Sequence, residues 1–316
     1  MKNKSKIVLI GSGAVGSTFA YTVLLKGLAN ELVIIDANKD KAEGDVLDLN
    51  HGLLLAQPMK IYAGEYKDCT DADIIVITAG AAQKLGETRI NLMQRNVDIF
   101  QQILSNVVQY NQEAIFLIAT NPVDILTYIT IKLTNLPANR IIGSGTLLDS
   151  ARFRYLISQE VNIDPRSIHG MIIGEHGDTE LPLWSLLNIA GISQENLTEN
   201  SRCYLSSQQK EEIFQQTKNA AYQIIEKKGA TYYAIALALA RICEAILGNQ
   251  KSVLPVSVYL ENYKGIDDVC IGIPSIIGRS GVESIMDIPL SNQEEQQLLQ
   301  SANQLKAFLK EIRLPN

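Results

Sequence analysis

Short apolar runs alternate with segments of helical spacing throughout the first half of the chain. The runs are rich in β-branched residues, whereas most of the intervening segments return an apolar residue every three to four positions. They lie at Lys6–Gly11, Glu31–Asp36, Lys60–Ala63, Asp73–Ala79, Ala114–Thr120 and Arg140–Gly143. Almost no polar residue interrupts them, which is typical of strands that helices cover on both faces. The pattern predicts an α/β fold class with a doubly wound parallel sheet.

The pattern changes after Gly145, where strands and helices no longer alternate regularly. The predicted elements are a helix at about Leu147–Val161, a strand near Ile168–Ile173, a long helix from about Ser206 into Ala245, strands at about Val253–Leu260 and Val269–Ile277 with a hairpin turn at Tyr263–Asp267, and an amphipathic helix at Asn292–Ile312. We therefore expect a dinucleotide-binding domain at 1–143 and an α+β domain at 144–316. No Gly/Ser/Pro-rich linker separates them, which favours a tight interface.

Composition and charge exclude several classes of protein. The 316 residues are 46% hydrophobic and 20% charged, as in ordered globular proteins of about two domains. A net charge of −6 without a basic stripe argues against a nucleic-acid partner. No apolar run reaches the roughly 18 residues of a membrane span, so we expect a cytoplasmic protein without a membrane partner. The dispersed cysteines, read as reduced packing residues, are Cys69, Cys203, Cys243 and Cys270.

A glycine-rich motif follows the first predicted strand directly. It comprises Gly11, Ser12, Gly13, Ala14, Val15 and Gly16, and Asp36 ends the second strand twenty residues later. Such glycines allow a tight turn and close backbone approach, so that a pyrophosphate can sit on the N-terminus of the next helix. Asp36 can accept a hydrogen bond from a ribose 2′-hydroxyl and would repel a 2′-phosphate. The motif predicts a Rossmann domain that binds NAD, although related folds also carry FAD or SAM.

Polar residues concentrate in four further segments, each with an ordinary structural interpretation as well. Asn121 follows a strand end, where ligands bind in open α/β sheets, but it could also cap the turn before Pro122. Residues 80–89 resemble a mobile lid that ends in Arg89. Asp149 and Arg152 lie three apart on one helix face, as many surface ion pairs do. His176, flanked by glycines, is the best candidate for proton transfer near neutral pH.

Together, these residues resemble the lactate/malate dehydrogenase family, and within it the lactate branch. The resemblance extends from the glycine loop to the C-terminal helix, and Leu148–Arg152 and Gly174–Asp178 carry it most specifically. It implies an NAD-dependent L-lactate dehydrogenase that requires no metal and whose second domain is catalytic. His176 would then exchange a proton with the substrate oxygen, and Asp149 would orient its imidazole. Arg152 would bind the substrate carboxylate and Arg89 would polarise the carbonyl.

The resemblance also implies which residues select the substrate. Asn121 and Ile235 would lie beside the nicotinamide. Neutral Gln83 stands where malate-specific relatives carry an Arg, and Thr231 restricts the space beside the substrate methyl, so both favour pyruvate. Leu85 replaces the usual Pro of the lid, which would loosen the lid and favour larger 2-keto acids.

Regulation and assembly follow from the same resemblance. Arg154 and His169 match a pair that binds fructose 1,6-bisphosphate at a subunit interface in regulated bacterial relatives. An interface salt bridge and a packed histidine are the alternative explanation. A homotetramer is implied, with helices near Gly44–Leu54 and Ala151–Val161 as candidate interfaces, unless these pack within one chain.

Two other functions remain open at this point. The first is a related 2-hydroxy-acid dehydrogenase that acts on malate or on branched or aromatic substrates. The second is a non-catalytic NAD-binding protein of the same fold, because fold alone does not give function.

Overall fold

The computed structural model describes residues 5–81 and 89–313, with Arg89 described by its backbone alone. Besides short 3-10 turns, these residues form fourteen strands and eight α-helices. The strands are β1 (Lys6–Ile10), β2 (Glu31–Ile35), β3 (Lys60–Ala63), β4 (Ile74–Ile77), β5 (Ile115–Ile118), β6 (Ile141–Gly143), β7 (Ile168–His169), β8 (Ile172–Ile173), β9 (Leu181–Pro182), β10 (Asn188–Ile189), β11 (Ile192–Ser193), β12 (Ser252–Leu260), β13 (Val269–Gly278) and β14 (Gly281–Ile285). The helices are α1 (Ala14–Lys26), α2 (Lys39–His51), α3 (Arg89–Val107), α4 (Val123–Thr134), α5 (Leu147–Val161), α6 (Ser207–Lys228), α7 (Tyr233–Leu247) and α8 (Asn292–Glu311).

The six predicted strands of the first half form one parallel sheet. Their spatial order is β3-β2-β1-β4-β5-β6, and each neighbouring pair is parallel. This is the doubly wound Rossmann order, so the predicted fold class is confirmed. The chain direction across the sheet reverses between β1 and β4, and the carboxyl ends of these two strands open the crevice in which open α/β sheets bind ligands.

Three strands of the second half extend the same sheet with antiparallel pairing. Ser257 of β12 pairs with Gly143 of β6, and β13 and β14 follow in order. A Cβ at Gly143 would lie only 2.7 Å from the Ser257 Cβ, so the junction needs a glycine. The hairpin prediction is confirmed, because Tyr263 and Ile266 exchange two backbone hydrogen bonds of 2.9 and 2.8 Å. The apolar pattern alone does not reveal β14 or this extension of the sheet.

The prediction of one long helix from Ser206 into Ala245 is wrong, because this segment forms two helices, α6 and α7. Gly229 takes φ +83°, in the left-handed region, and its N–H donates to Ile225 O at 2.8 Å. Left-handed glycines commonly end helices. The break places Thr231 in the connection between the two helices, where its side chain does not belong to a helix surface.

The single strand expected near Ile168–Ile173 is also wrong. Two short strands replace it: β7 pairs with β10, whereas β8 pairs with β9 in a different sheet. Gly170 lies between them, and a Cβ there would come within 2.9 Å of Phe153 Cε1. The absence of a side chain at Gly170 therefore lets the chain pass close to α5 between the two strands.

The described residues bury two apolar clusters. The larger one lines both faces of the nine-stranded sheet, and the smaller one is centred on Phe153 and Ile157 of α5 beneath α6. The larger cluster thus packs the strands of the sheet, and the smaller one packs the middle and end of α5. Among residues 5–81 and 89–313, we find no helix with the length and apolarity that a bilayer span requires.

Candidate active site

The three positions after β1 are occupied by glycine for different structural reasons. Gly11 has φ +101°, and a Cβ there would lie 2.5 Å from Ala79 N; a Cβ at Gly16 would overlap the Gly11 carbonyl oxygen. At Gly13 a Cβ would meet no atom within 4 Å. Packing within the protein therefore demands Gly11 and Gly16, whereas Gly13 leaves open space beside the N-terminus of α1. That open cradle fits close approach by a dinucleotide phosphate.

A cleft of about 770 Å³ opens over this loop, at the carboxyl edge of the sheet. Asp36 lines it, and its carboxylate accepts hydrogen bonds from Ser12 N at 2.6 Å and Asn38 N at 2.8 Å. These bonds fix the carboxylate beside the glycine loop, and its oxygens keep lone pairs for a ribose hydroxyl. The residues present therefore fit NAD. Ala14 and Val15 continue the same loop as the first residues of α1.

The last two glycines of the loop, Gly13 and Gly16, give a discriminating pair of substitutions. Gly13→Ala is expected to cost no more than about 1 kcal/mol of stability, as a weaker helix N-cap, yet to weaken NADH binding by tenfold or more. Gly16→Ala is expected to lose about 1–3 kcal/mol of stability from overpacking. Thermal unfolding and titration of NADH fluorescence measure the two effects. An unchanged NADH affinity in Gly13→Ala would show that the dinucleotide phosphate does not approach this position.

Asn121 lies at the carboxyl end of β5, farther along the same edge of the sheet. Asn96 of α3, 1% exposed, donates to Asn121 O at 3.0 Å and accepts from Ala81 N at 2.8 Å. Asn96 thus joins the Asn121 loop to the beginning of the predicted lid. It was missed from the sequence because it resembles any polar residue of an amphipathic helix. Half-buried Ile235, near the start of α7, packs against the main core.

The predicted proton-transfer residues meet at the start of α5. Nδ1 of His176 lies 2.6 Å from Oδ2 of Asp149, and Arg152 Nη1 donates to Oδ1 of Asp149 at 2.9 Å. Burial lowers the pKa of His176, but the Asp149 carboxylate outweighs it and raises that pKa to about 9. Burial opposes ionisation of Asp149 too, yet His176 and Arg152 hold its pKa below the usual value. The pair can therefore hold one proton on the imidazole at neutral pH.

A second buried carboxylate, Asp124, holds the histidine backbone. Its Oδ2 accepts from His176 N at 2.8 Å, and its Oδ1 accepts from Ser257 Oγ at 2.5 Å. Burial raises the pKa of Asp124 to about 6, against these hydrogen bonds. Asp124 was missed from the sequence because an acidic residue in the first turn of a helix normally only complements the helix dipole.

Glu180 is the third carboxyl group around His176. Its side chain is buried, and one oxygen, Oε1, has no hydrogen-bond partner among the residues that the structure describes. Burial and the neighbouring Asp149 carboxylate raise the pKa of Glu180 to about 8. Ligand atoms of Asp149, His176 and Glu180 all lie within 4.8 Å of one another. Glu180 follows the histidine by only four positions, yet nothing in the sequence marks it as buried.

The predicted effector residues lie on two elements, Arg154 on α5 and His169 on β7. Arg154 is partly buried and donates through Nη2 to Pro165 O at 3.0 Å, whereas His169 is exposed on β7. Burial lowers the pKa of Arg154. Because α5 packs against both β7 and the turn that contains Pro165, the two residues belong to adjacent elements.

Several predicted site residues fall in the lid. Gln83 and Leu85 lie outside the described residues, and of Arg89 only the backbone is described, as the first residue of α3. Their predicted roles stay predictions. The strand end that leads into this segment is fixed, because Thr120 Oγ1 donates to Ala79 O at 2.7 Å.

Comparison with known proteins identifies the family and several relatives that are similar in sequence. Two family models match the chain: the NAD binding domain of lactate/malate dehydrogenase over residues 5–143 and its alpha/beta C-terminal domain over 146–313. An L-lactate dehydrogenase of Acetivibrio thermocellus is 52% identical over 309 residues, which cover 97% of each protein. L-lactate dehydrogenase 1 of Clostridium acetobutylicum is 51% identical over 312 residues, covering 99% of this chain and 100% of the relative.

Solved structures agree with the sequence relatives. The minor L-lactate dehydrogenase of Enterococcus mundtii, in a ligand-bound form, matches with a TM-score of 0.96 and 42% identity, covering 99% of this chain and 100% of that one. A lactate dehydrogenase from a Medee basin deep-sea metagenome library matches with a TM-score of 0.94 and 43% identity, covering 97% and 98%. The likeness thus includes both halves of the chain.

Proposed function

This chain belongs to the lactate/malate dehydrogenase family, and on that premise we propose that it is an L-lactate dehydrogenase that interconverts pyruvate and L-lactate with NAD. It is an NAD-dependent oxidoreductase acting on a CH–OH group. The observation that carries the proposal is the His176–Asp149 contact of 2.6 Å beside Arg152, close to the carboxyl edge of the NAD-binding sheet. We place the domain boundary at 143/144, where β6 ends before the turn into α5.

The side chains at the start of α5 would divide the chemistry between them. His176 engages Asp149 through Nδ1, so Nε2 is the atom left to protonate the keto oxygen of pyruvate and to take that proton back from lactate. Asp149 fixes the ring and stabilises its charged form. Arg152 is only 13% exposed at its side chain, and its planar guanidinium can hold the substrate carboxylate with two hydrogen bonds. Bound NADH supplies the hydride that reduces C2.

Substrate choice and carbonyl polarisation would come from residues around this group. Arg89 would stabilise the negative charge that develops on the carbonyl oxygen, and Asn121 and Ile235 would flank the nicotinamide. Neutral Gln83 offers no charge to a second carboxylate. Thr231, in the connection between α6 and α7, would limit the size of the group at C3.

We also propose a homotetramer that fructose 1,6-bisphosphate activates. Large apolar side chains remain exposed on both candidate interface segments: Leu47 and Leu54 are 58% and 93% exposed, and Tyr155 on α5 is 55% exposed. Burial of such side chains between subunits would remove apolar surface from water. Arg154 and His169 would provide cationic donors for a phosphate at the interface, and a two-fold axis would present each of them twice.

The decisive test is NADH oxidation by the purified protein with pyruvate and with oxaloacetate, each with and without millimolar fructose 1,6-bisphosphate. We expect kcat/KM for pyruvate to exceed that for oxaloacetate by about 10- to 100-fold, because a missing hydrogen bond to a charged group is worth about 1.5–3 kcal/mol. The bisphosphate is expected to lower the KM for pyruvate.

Each contrary outcome has its own meaning. A preference for oxaloacetate would make the protein a malate dehydrogenase and refute the role of Gln83. NADH binding without oxidation by any 2-keto acid would leave a non-catalytic protein. A bisphosphate without effect would refute only the effector site at Arg154 and His169.

A further inference from the structure

The burial of the Glu180 carboxyl group is not explained by its hydrogen bonds within the described part of the chain. The side chain is 6% exposed, and Oε1 is buried without a hydrogen-bond partner among the described residues. An unpaired buried polar atom is unfavourable, and an unpaired buried charge is more so. An apolar side chain would avoid this cost.

Charged groups of three elements surround the Glu180 carboxyl. Asp149 and Arg152 face it from α5, and His176 faces it from the loop between β8 and β9. Lys218 approaches from α6, where its Nζ also donates to Asp178 O at 2.8 Å. Glu180 thus belongs to the same electrostatic unit as the proposed acid–base pair.

The charge of this unit depends on the Glu180 proton. With Glu180 neutral, the carboxylates of Asp149 and Asp124 and the cations Arg152, Lys218 and protonated His176 together carry one net positive charge, which one substrate carboxylate neutralises. Ionised Glu180 cancels that positive charge, and a bound substrate carboxylate would then leave a net negative charge in a buried site. Uncompensated buried charge is unfavourable, so substrate affinity must fall.

We propose that Glu180 is a positioning residue that works as a neutral carboxylic acid: it preserves the net positive charge that attracts a 2-keto-acid carboxylate, and its ionisation weakens substrate binding. This proposal rests on the proposed function. Burial and Asp149 raise the pKa of Glu180 to about 8, so the neutral form predominates at pH 7 and the ionised form at pH 9. Substrate binding is therefore favoured below pH 8 and lost as the pH rises through it.

The test compares wild type with Glu180→Gln, which keeps the size of the neutral acid but cannot ionise. The measurements are the KM for pyruvate at saturating NADH and the dissociation constant of oxamate, a non-reactive analogue, in the presence of NADH, both from pH 6.5 to 9. At pH 7 we expect the two proteins to agree within about twofold. Between pH 7 and pH 9 we expect the wild-type values to rise about tenfold more than those of the variant, as for one ionisation near pH 8. The ionised Glu180 carboxylate also raises the pKa of His176, so Glu180→Gln should lose the His176 proton at a lower pH than wild type. That effect weakens binding to the variant, so it opposes the expected difference and cannot produce it.

The matched control is Glu195→Gln, the same substitution at an exposed carboxylate, which should keep the wild-type pH profile. Parallel profiles for wild type and Glu180→Gln would overturn the proposal. A wild type that binds NADH but never reduces pyruvate would instead refute the proposed function.

A measurement on the wild-type protein decides the protonation state without substrate and without a variant. Infrared difference spectra with ¹³C-labelled glutamate should show a protonated buried carboxyl at pH 7 that disappears by pH 9. Absence of that band at pH 7 would overturn the proposal, even if Glu180→Gln failed to fold.

Discussion

His176→Asn is expected to lower kcat for pyruvate reduction by about 10²- to 10⁴-fold, the usual contribution of a general acid. Asparagine can still donate to Asp149 from a position close to that of Nδ1, so the buried carboxylate keeps a partner besides Arg152. It has no atom in the place of Nε2, and the keto oxygen therefore loses its proton donor. Stopped-flow measurement of NADH oxidation at saturating pyruvate gives the rate.

The same variant has an internal control in its cofactor site. NADH affinity should match wild type, because the glycine loop and Asp36 lie outside the His176 group. A kcat within threefold of wild type would show that another residue supplies the proton and would refute the assignment.

Arg152→Lys is expected to reduce kcat/KM for pyruvate by roughly 30- to 150-fold, that is by about 2–3 kcal/mol. Lysine keeps the charge but offers a flexible point donor in place of two parallel N–H groups. It also loses the fixed contact with Asp149, which the guanidinium makes at 2.9 Å. Steady-state kinetics with pyruvate measure the loss, and the oxamate dissociation constant should rise with it.

An equivalent substitution elsewhere serves as the control for Arg152→Lys. Arg166 makes bonds to both oxygens of Asp164, at 2.6–3.1 Å, but its side chain is 89% exposed. Exposed ion pairs contribute little, so Arg166→Lys should leave kcat/KM unchanged. Equal effects of the two substitutions would show that Arg152 acts only as a general positive charge.

Much of the fold was predictable because its signals are local. The six apolar runs of the first half all form parallel strands; β3 has the predicted bounds, and the other five are shorter only at their ends. The helix at Leu147–Val161 is confirmed, and the C-terminal helix ends one residue before the predicted Ile312. The break at Gly229 was also marked locally, by two lysines before a glycine, but continuous helical periodicity on both sides concealed it.

The sequence was sufficient to propose several residues of the site, but it predicted their contacts only in part. Asp36, Asp149, Arg152 and His176 were all candidates, and the structure brings the last three together. Asn96, Asp124 and Glu180 were not among the candidates, because polar and acidic residues in helices and loops are usually solvated. Their importance follows from burial, which depends on elements far away in the chain.

The amino-acid sequence by itself determined the alternation of strands and helices, the glycine loop with its acidic partner and the chemical types available at the reacting end. These features depend on periodicity and on neighbours within a few positions. Only the tertiary structure decided that β12 continues the NAD-binding sheet, that Asp124 holds the His176 backbone and that Glu180 is buried against Asp149. Such contacts join residues that are up to 133 positions apart, as for Ser257 and Asp124, and packing of the whole chain sets both their distances and their dielectric surroundings.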